Sequence, residues 1–391
     1  MVHEVDILIA GAGHAGLLLA GALGRSGFRV AIVEPAPFRA IAEPTPDGRT
    51  LALMRSSRAA MEQLGAWAAV EAAVAPVLGA EVVDESSGGR VEYRRDRAEE
   101  PPFAYGVVNT DLRRALLAWA LDSCGPRIVM RPGRVSALRR GRRTVEVTLD
   151  GGDTLTAALV VGADGRGSTI RQLAGIGLDS WAYPQTAVTF VVAHDAPHGD
   201  LVRERLRPRG PLALLPVGSR RSGVTWVEPH VEAQRILAMA PADRAARLDQ
   251  EIRHALGRLE IVGPSRGWPL GAQHARRYVA PRVALVGDAA HGVHPIHAQG
   301  FNMGVADVAA LVDELTGTAS GRADPGDAGV LLAYERRRRA ANTRTIWLTD
   351  GLNRLFSNDL PGLRALRGAG LRLLDRIAPL RALAVGMGSG G

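Results

Sequence analysis

The sequence predicts an α/β protein in which a Rossmann-like nucleotide-binding domain is joined to a second domain, built on a mainly antiparallel β-sheet, and to C-terminal helices. Three observations predict this architecture. The first 34 residues form a βαβ pattern with a glycine-rich turn, the pattern between about 181 and 280 changes to extended strands, and residues 346–391 are amphipathic with helical spacing. At 391 residues, the chain is long enough for two domains.

The βαβ unit follows from its hydrophobic pattern. "VDILIAGAG" begins with an unbroken apolar run, which is typical of a buried parallel strand. "HAGLLLAGALGRSG" keeps apolar residues at helical spacing and ends near Gly27. "RVAIVEP" predicts the second strand, which Glu34 and Pro35 close.

The next segment predicts a mixture of loops, helices and short strands. Residues 47–70 are interpreted as a polar loop entering a helix, with serines available to cap its start. Residues 80–95 predict a β-hairpin around the turn "SSGG". A helix from about Asp111 to Ser123 and a strand pair within 134–165 then return the chain to the first domain.

The second domain is predicted from "TAVTFVVAHD", "GPLALLPVG" and "SGVTWVEP", which are followed by one amphipathic helix at 241–259. Helix returns at Gly304. The predicted division is a nucleotide-binding domain of residues 1–75, 98–180 and 278–345, a β-sheet domain of residues 76–97 and 181–277, and C-terminal helices in residues 346–391.

The composition is that of an ordinary globular protein, with 46% hydrophobic and 23% charged residues. No apolar run is long enough to span a bilayer, and the N-terminus has acidic residues before its apolar run and no cleavage-type ending. We therefore expect a cytoplasmic protein. Cys124 is the single cysteine, which excludes an internal disulfide and a cysteine-based zinc cluster.

The charge pattern excludes further classes of function. The chain contains no lysine, so its 48 basic side chains are arginines, and with 40 acidic residues the formal net charge is +8. A lysine Schiff base and a P-loop of the usual kind cannot form. The run "YERRRRAANTR" is interpreted as a solvated helix face, with contact to anionic lipid headgroups as the alternative. No interleaved aromatic and basic patch indicates nucleic-acid binding.

The first glycine motif, "GAGHAG", places Gly11, Gly13 and Gly16 in the spacing G-x-G-x-x-G between a strand and a helix. Such glycines allow a tight turn, a close approach of the backbone to a pyrophosphate, and close helix packing, while the helix N-terminus faces the anion. Glu34, at the end of the next strand, is placed to bind ribose hydroxyls. The motif therefore predicts a dinucleotide site.

Two further motifs follow buried strands. "VVGADGRGSTIR" contains Asp164 and Gly165, and by itself is interpreted as an ordinary turn. "RVALVGDAAHGVHPIHAQGFNMG" places Asp288 at the carboxyl edge of its strand, where α/β folds bind ligands.

Three histidines at three-residue spacing, His291, His294 and His297, suggest a metal site beside Asp288. Such spacing would bring the imidazoles to one side only on a continuous helix, and Pro295 interrupts the segment. We therefore predict no metal site here.

The order of the three motifs resembles the signature of single-component FAD-dependent aromatic hydroxylases of the p-hydroxybenzoate hydroxylase type. It is most similar to the subgroup of hydroxylases in ubiquinone biosynthesis, and the resemblance covers nearly the whole chain. Further segments that carry it are "DGRTLALMRSS", "VVNTDLRRALL", "GPLALLPV" and "HPIHAQGFNMGVADV".

The resemblance implies one FAD, extended across the first domain, with the second domain binding the substrate. Gly11, Gly13 and Gly16 would approach the diphosphate, and Glu34 the adenosine ribose. Asp288 would bind the ribityl chain. The remaining implied cofactor residues are Ala15, Arg49 and Leu112 along the flavin path, Asp164 and Gly165 for FAD and NAD(P)H, and Pro295, Gln299, Gly300, Phe301 and Asn302 in the third motif.

The implied reaction uses NADH or NADPH to reduce FAD, captures O2 as a flavin C4a-hydroperoxide, and transfers one oxygen to an aromatic phenol or quinone precursor. Prenylated and other lipophilic rings belong to the implied substrates. Peripheral contact with the inner membrane face, or with a biosynthetic complex, is implied with them, and the C-terminal helix is the candidate surface. Packing of this helix against the FAD domain is the alternative.

The chain departs from the family at His297 and Ala298, where the family usually carries small residues and most often glycine at the second position. Alanine disfavours a left-handed backbone. His297 is a candidate catalytic residue, facing the substrate or shuttling a proton, and an outward-facing side chain is the alternative. Trp226 and Trp268 are interpreted as core, with a pocket for a flat ring as the alternative.

Two other functions stay open. A natural-product tailoring monooxygenase would keep the cofactor and act on a quinolone or polyketide ring, and His297 with Ala298 is the feature that favours it. A non-catalytic flavoprotein, serving as an assembly subunit, would bind FAD without substrate-stimulated oxidation of NAD(P)H.

Overall fold

The computed structural model describes residues 3–95, 97, 99–317, 324–358, 362 and 368. Its strands are β1 His3–Ala10, β2 Val30–Glu34, β3 Thr50–Met54, β4 Ala75–Val77, β5 Gly79–Asp84, β6 Gly89–Arg94, β7 Ala104–Val108, β8 Ile128–Pro132, β9 Val135–Arg140, β10 Val145–Leu149, β11 Thr154–Gly162, β12 Leu178–His194, β13 Leu201–Leu206, β14 Leu212–Gly218, β15 Arg221–Pro229, β16 Leu259–Ala275, β17 Val279–Ala280, β18 Val283–Leu285 and β19 His291–Gly292. Its α-helices are α1 His14–Arg25, α2 Phe38–Ala42, α3 Arg55–Gln63, α4 Trp67–Val70, α5 Asn109–Cys124, α6 Thr169–Leu173, α7 His230–Ala238, α8 Pro241–Glu251, α9 Gln299–Thr316 and α10 Ala328–Phe356.

The first sheet is the parallel sheet that the βαβ pattern predicts. Its order is β17-β18-β11-β1-β2-β8, and the four pairs from β18 to β8 are parallel. The hairpin β9–β10 extends it by pairing with β11. Ile7, Leu8 and Ile9 have no exposed surface, as expected for a strand covered on both faces. Helix α1 packs closely on α5. A Cβ on Gly21 would lie only 2.2 Å from the Trp119 ring, so this contact requires glycine.

The second sheet has the order β19-β16-β12-β15-β14-β13-β5-β6 and is antiparallel except at the β13–β5 pair. The predicted hairpin β5–β6 joins it at one edge. α7 and α8 contact β12, β15 and β16. Val188, Phe190 and Trp226 from the sheet and Ile236 and Leu248 from the helices form a separate core.

A third, three-stranded sheet of order β3-β7-β4 lies against the second sheet. Two glycines allow this close approach, since a Cβ on Gly106 would lie 1.9 Å from the Pro216 carbonyl oxygen and one on Gly223 would lie 2.1 Å from Thr50 Oγ1. The small sheet thereby brings β3 against β14 on one side and α9 on another.

Three predicted elements need correction. Residues 47–70 contain β3 before the helix, and no side-chain hydroxyl in the described part of the chain caps α3; the Ser57 hydroxyl instead donates to Asn302 Oδ1 at 2.6 Å. The predicted helix at 241–259 is α8, which begins at Pro241 as predicted but ends at Glu251, and the helix before it, α7, was not predicted. Strand β13 was not predicted, because its consecutive charged residues Arg203, Glu204 and Arg205 break the alternation of apolar and polar side chains.

The helical segments near the C-terminus begin earlier than predicted. α9 begins at Gln299 rather than Gly304, and α10 begins at Ala328, where the Asp327 side chain accepts hydrogen bonds from two backbone amides. α10 crosses the predicted domain boundary at 345/346, so this boundary does not coincide with the end of an element. Apart from residues 362 and 368, the predicted C-terminal helices from 359 onward lie outside the described residues. The domain division stays a prediction.

The arginine run on α10 is not only a solvated face. Arg338 Nε donates to the fully buried Asp307 carboxylate at 2.8 Å, and its Nη2 donates to Asn342.

No helix in the described part of the chain is long and apolar enough to cross a membrane.

Candidate active site

A cleft of about 790 Å³ lies where the parallel strands of the first sheet end. Residues that follow β1, β2, β11 and β18 line it, together with the N-terminal turn of α9. This is the carboxyl edge at which parallel α/β sheets bind ligands. The three glycine motifs therefore meet in one place, although more than 100 residues separate each from the next.

The three glycines of the first turn have different surroundings. Gly11 has φ +106°, and a Cβ there would lie 2.4 Å from the Ala163 carbonyl oxygen; a Cβ on Gly16 would lie 2.0 Å from the Gly11 carbonyl oxygen. These two positions are closed by packing. At Gly13, by contrast, a Cβ would have no heavy atom within 4 Å, and this glycine faces the cleft with Ala15. The turn thus leaves an open cradle at the N-terminus of α1.

Glu34 borders the same cleft at the end of β2. Its Oε2 accepts a hydrogen bond from the Ala12 amide at 2.7 Å, and its Oε1 accepts one from the Ala36 amide at 3.1 Å. The carboxylate is therefore held in place by the glycine turn itself.

The second motif forms a capped helix start. Asp164 Oδ2 accepts from the Thr169 and Ile170 amides at 2.7 and 3.1 Å, while Oδ1 is buried without a partner among the described residues. Gly165 has φ +80° and lines the cleft. The turn interpretation is thus confirmed for the backbone, and the orphaned Oδ1 leaves one acceptor for a bound group.

Asp288 stands on the short turn Gly287–Ala289 after β18. The residue is exposed to the cleft, and the many protein atoms around the cleft desolvate its carboxyl and raise its pKa, against the opposing charges of His291, Arg166 and Arg49. The charged form of a desolvated carboxyl is stabilised by a bound group that donates hydrogen bonds to it.

Hydrogen bonds and close packing connect the three motifs. Arg171, on the second motif, is buried and donates through Nη1 to the Ala289 carbonyl at 2.8 Å in the third. The Val286 amide donates to the Gly162 carbonyl at 3.0 Å. A Cβ on Gly287 would lie 3.3 Å from the Ala15 methyl group of the first motif.

In the loop before α9, the position at which the resembled family most often has glycine takes the backbone conformation that favours glycine. Ala298 has φ 51° and ψ 35°, which is left-handed, and lines the cleft together with Pro295, Gly300 and Phe301. Asn302 Nδ2 donates to the Ala298 and Ala52 carbonyls, and its Oδ1 accepts from the Met54 amide. Asn302 therefore ties β3 to this loop.

The predicted cofactor residues divide into two groups. Gly11, Gly13, Ala15, Glu34, Arg49, Asp164, Gly165, Asp288, Pro295, Gly300 and Phe301 line the cleft. Gly16, Leu112, Gln299 and Asn302 do not border it in the described structure. Leu112 is fully buried in the core, and its neighbours Asn109 and Arg113 line the cleft instead, because only one side of α5 faces it.

His291 and His294 have separate environments. His291 Nε2 lies 2.5 Å from Asp307 Oδ2 in the interior. Burial alone would raise the pKa of Asp307, but His291 and Arg338 lower it. His294 Nδ1 accepts from the Ile296 amide, and burial lowers the His294 pKa to about 4. The side chain of His297 lies outside the described structure, and its catalytic role stays a prediction.

Metal ligation finds no support in the described residues, since no group of three or more histidine, cysteine, aspartate or glutamate side chains there could hold an ion.

Two of the cleft residues that were not predicted, His14 and Arg113, contact or adjoin the first glycine turn. His14 lies within the first motif, donates through Nε2 to the Asn109 carbonyl at 3.0 Å, and packs edge-on against Phe301; burial lowers its pKa to about 4. Arg113 Nε donates to the Ala12 carbonyl at 3.1 Å. Their positions beside the glycine turn and in "DLRRALL" were the available signals, but neither residue type belongs to the fingerprint.

A smaller cavity of about 180 Å³ adjoins the cleft. Thr50, Ala52, Thr225, Pro295 and Ala298 border both spaces. The cavity is largely apolar and lies between the second sheet, the small sheet and the loop before α9.

The two singled-out tryptophans border neither space in the described structure. Trp226 is fully buried, which confirms the core interpretation, and its Nε1 donates to Glu228 at 2.8 Å. Trp268 is half-buried beneath the Arg49 guanidinium, 4.4 Å from the ring centroid.

The cleft fits an FAD. A helix N-terminus and an open Gly13 cradle suit a diphosphate, Glu34 offers carboxylate oxygens to ribose hydroxyls, and Asp164 Oδ1 and Asp288 offer acceptors deeper in the cleft.

Comparisons with known proteins agree with this fit. The family described as FAD binding domain matches residues 4–348. The chain is 37% identical over 378 residues to the ubiquinone hydroxylase UbiL of Rhodospirillum rubrum, covering 97% of this chain and 88% of that protein. It is 35% identical over 386 residues to 3-demethoxyubiquinol 3-hydroxylase of Escherichia coli, covering 97% of each. PqsL, a probable FAD-dependent monooxygenase from Pseudomonas aeruginosa, superposes with a TM-score of 0.79 at 25% identity, covering 95% of this chain and 100% of that chain.

The fold and the cleft are those of the FAD-dependent monooxygenases with the p-hydroxybenzoate hydroxylase fold. By sequence, the chain belongs to the FAD-binding domain family. The predicted fold class and the predicted resemblance are thereby confirmed.

Proposed function

We propose that the protein uses NADH or NADPH and O2 to hydroxylate the aromatic ring of a phenol or quinone precursor, as in ubiquinone-type biosynthesis. The observation that carries this proposal is the adjacency of the FAD-sized cleft to an apolar cavity of about 180 Å³, with Ala298 and Pro295 on the shared wall. The ubiquinone hydroxylases at 35–37% identity support the choice of substrate class.

Residues of this chain would hold the cofactor along the cleft. The amides around Gly13 and the N-terminus of α1 would face the diphosphate, Glu34 the adenosine ribose, and Asp288 the ribityl chain. When bound, FAD supplies the redox chemistry and the activation of oxygen. The N-terminus of α9, at Gly300, would stabilise negative charge on the reduced ring.

The smaller cavity would position the substrate and exclude water. Ala52, Val77 and Ala104, with Met54, Val202 and Leu215 packed against them, form an apolar cluster along this wall. Such a wall suits a flat, uncharged ring and keeps water from the reacting atoms.

One experiment tests the proposal. Purified protein would be reconstituted with FAD, and consumption of NADH and of NADPH would be measured with phenols, prenylphenols and quinolones, with mass analysis for the gain of one oxygen. We expect a phenol or prenylphenol to stimulate consumption and to gain the oxygen. A colourless protein that takes up no FAD would refute the proposal.

Two other outcomes separate the alternatives. Hydroxylation of a quinolone in preference to every phenol would favour a natural-product tailoring enzyme. Bound FAD, with no substrate that stimulates NADH or NADPH consumption, would favour a non-catalytic flavoprotein subunit.

A further inference from the structure

The wall of the smaller cavity contains one unexpected residue. Among the described residues that line it, Glu204 is the single charged side chain, and the rest are apolar except for Thr50, Thr225 and Tyr93. Glu204 is half-buried, and a charged group in an otherwise apolar wall is a ready partner for a polar group that enters the cavity.

The alternation of β13 turns Glu204 toward the cavity. Val202 and Glu204 line it, whereas Arg203 and Arg205 point to the opposite face and pair with Glu81 at 3.3 Å and Glu85 at 2.6 Å. The arginines on either side of Glu204 therefore do not neutralise it. Within the described structure, Glu204 has neither a hydrogen-bond donor nor an ion-pair partner.

Tyr93 stands on the same wall, on the edge strand β6. Burial, together with the charge of Glu204, raises the Tyr93 pKa to about 12, so its hydroxyl stays protonated. Its ring packs edge-on against Phe103, and no hydrogen-bond partner for its hydroxyl is present among the described residues. The cavity thus offers a carboxylate and a phenol hydroxyl to whatever enters it.

We propose that Glu204, with Tyr93 beside it, selects the substrate: the cavity accepts an aromatic ring that carries a neutral hydrogen-bond donor, a phenolic hydroxyl or an aromatic amine, and rejects a ring that carries a carboxylate. This inference rests on the proposed function, since it assigns the substrate class of the same site. The carboxylate of Glu204 accepts the donor of the ring, and its negative charge repels a substrate carboxylate that enters the same cavity.

The volume of the cavity agrees with recognition of the ring itself. An apolar cavity of about 150 Å³ suffices for benzene, so 180 Å³ holds one ring with small substituents. A long lipophilic tail would extend beyond these walls.

The test compares three ligands on FAD-loaded protein: 4-methylphenol, 4-methylanisole, which lacks the donor, and 4-hydroxybenzoate, which adds the carboxylate. Dissociation constants are read from the change in flavin absorbance. We expect the wild type to prefer 4-methylphenol to 4-hydroxybenzoate by about 100-fold and to 4-methylanisole by about 10-fold. We expect Glu204→Gln to reduce the first preference to below about 10-fold, chiefly through tighter binding of 4-hydroxybenzoate.

Glu92→Gln is the matched control. Glu92 is on β6, next to Tyr93 in sequence, but it pairs with Arg90 and Arg94 and does not border the cavity in the described structure. Its substitution should leave both preferences unchanged.

An unchanged preference in Glu204→Gln, or a wild type that binds 4-hydroxybenzoate as tightly as 4-methylphenol, would overturn the proposal. Should Glu204→Gln fail to fold, the wild-type series and Tyr93→Phe, expected to weaken 4-methylphenol about 5-fold, decide the matter. Loss of FAD binding in the wild type would instead refute the proposed function.

Discussion

Gly13 allows the cofactor site to be tested separately from the fold. In Gly13→Ala the added methyl group meets no atom within 4 Å, and the backbone at φ −76° and ψ −178° is open to alanine. The lower entropy of the unfolded chain favours alanine by about 0.4–1 kcal/mol, and the poorer N-cap that alanine makes opposes it by roughly 0.5–1 kcal/mol. We therefore expect the free energy of unfolding of the apoprotein to change by less than about 0.5 kcal/mol.

The same methyl group projects into the cleft, where the backbone must approach the diphosphate. We expect FAD affinity to fall about 10- to 100-fold, which corresponds to roughly 1.4–2.7 kcal/mol. Denaturant unfolding of the apoprotein and titration of FAD by fluorescence measure the two quantities. Gly167→Ala is the control, since its methyl position is equally free but does not border the cleft in the described structure.

Gly11→Ala supplies the contrast. Its methyl group would meet the Ala163 carbonyl oxygen at 2.4 Å with φ +106°, so we expect several kcal/mol of destabilisation, on the order of 3 kcal/mol or more. If Gly13→Ala bound FAD as tightly as the wild type, the cradle would not hold the diphosphate and the placement of the cofactor would be wrong.

Three further predictions concern polar side chains rather than the glycines of the first motif. Burial lowers the pKa of His14, His274 and His294 to about 4. Between pH 6.5 and 4 the unfolded chain therefore binds more protons than the folded one, and the free energy of unfolding should fall as the pH falls, by up to about 2 kcal/mol per histidine at pH 5 and by less for the partly exposed His274. Stability that is unchanged between pH 7 and pH 5 in denaturant titrations would contradict this prediction. Asn302→Ala removes hydrogen bonds to β3 and to the loop before α9. We expect it to lower the free energy of unfolding by about 2–4 kcal/mol in the same assay. A loss below about 0.5 kcal/mol would mean that these bonds do not hold the two elements together. Arg171→Met removes the donor to the Ala289 carbonyl. We expect it to weaken FAD binding by about 10-fold in the fluorescence titration. An unchanged affinity would show that the second motif does not position the third.

Much of the first domain could be predicted because its signals are local. The strand β1, the helix α1 and the glycine turn between them follow from an apolar run, a helical period and three glycines within 16 residues. Strand β3 could not be predicted in this way. Its partner β7 lies about 50 residues away, and its contact with Asn302 spans nearly 250 residues.

The candidate site shows the same division. Residues that carry a fingerprint, such as Gly13, Glu34 and Asp288, line the cleft as expected. Leu112 and Asn302 fall in segments that resemble the family but do not border the cleft in the described structure, because a motif fixes which residue is present and not which way its side chain points. Glu204 carries no motif, and its exposure to the cavity depends on the register of β13 against β5 and β14.

The sequence by itself determined the order of the three glycine motifs, the βαβ unit, and the exclusion of disulfide, lysine and P-loop chemistry, since composition and short-range periodicity decide these properties. Only the tertiary structure decided that the motifs share one cleft, that Ala298 takes a left-handed backbone, and that the Glu204 carboxylate faces the apolar cavity. Each of these depends on atoms brought together from distant parts of the chain. Hydrogen bonds and packing over such separations leave no period or spacing in the sequence from which they could be read.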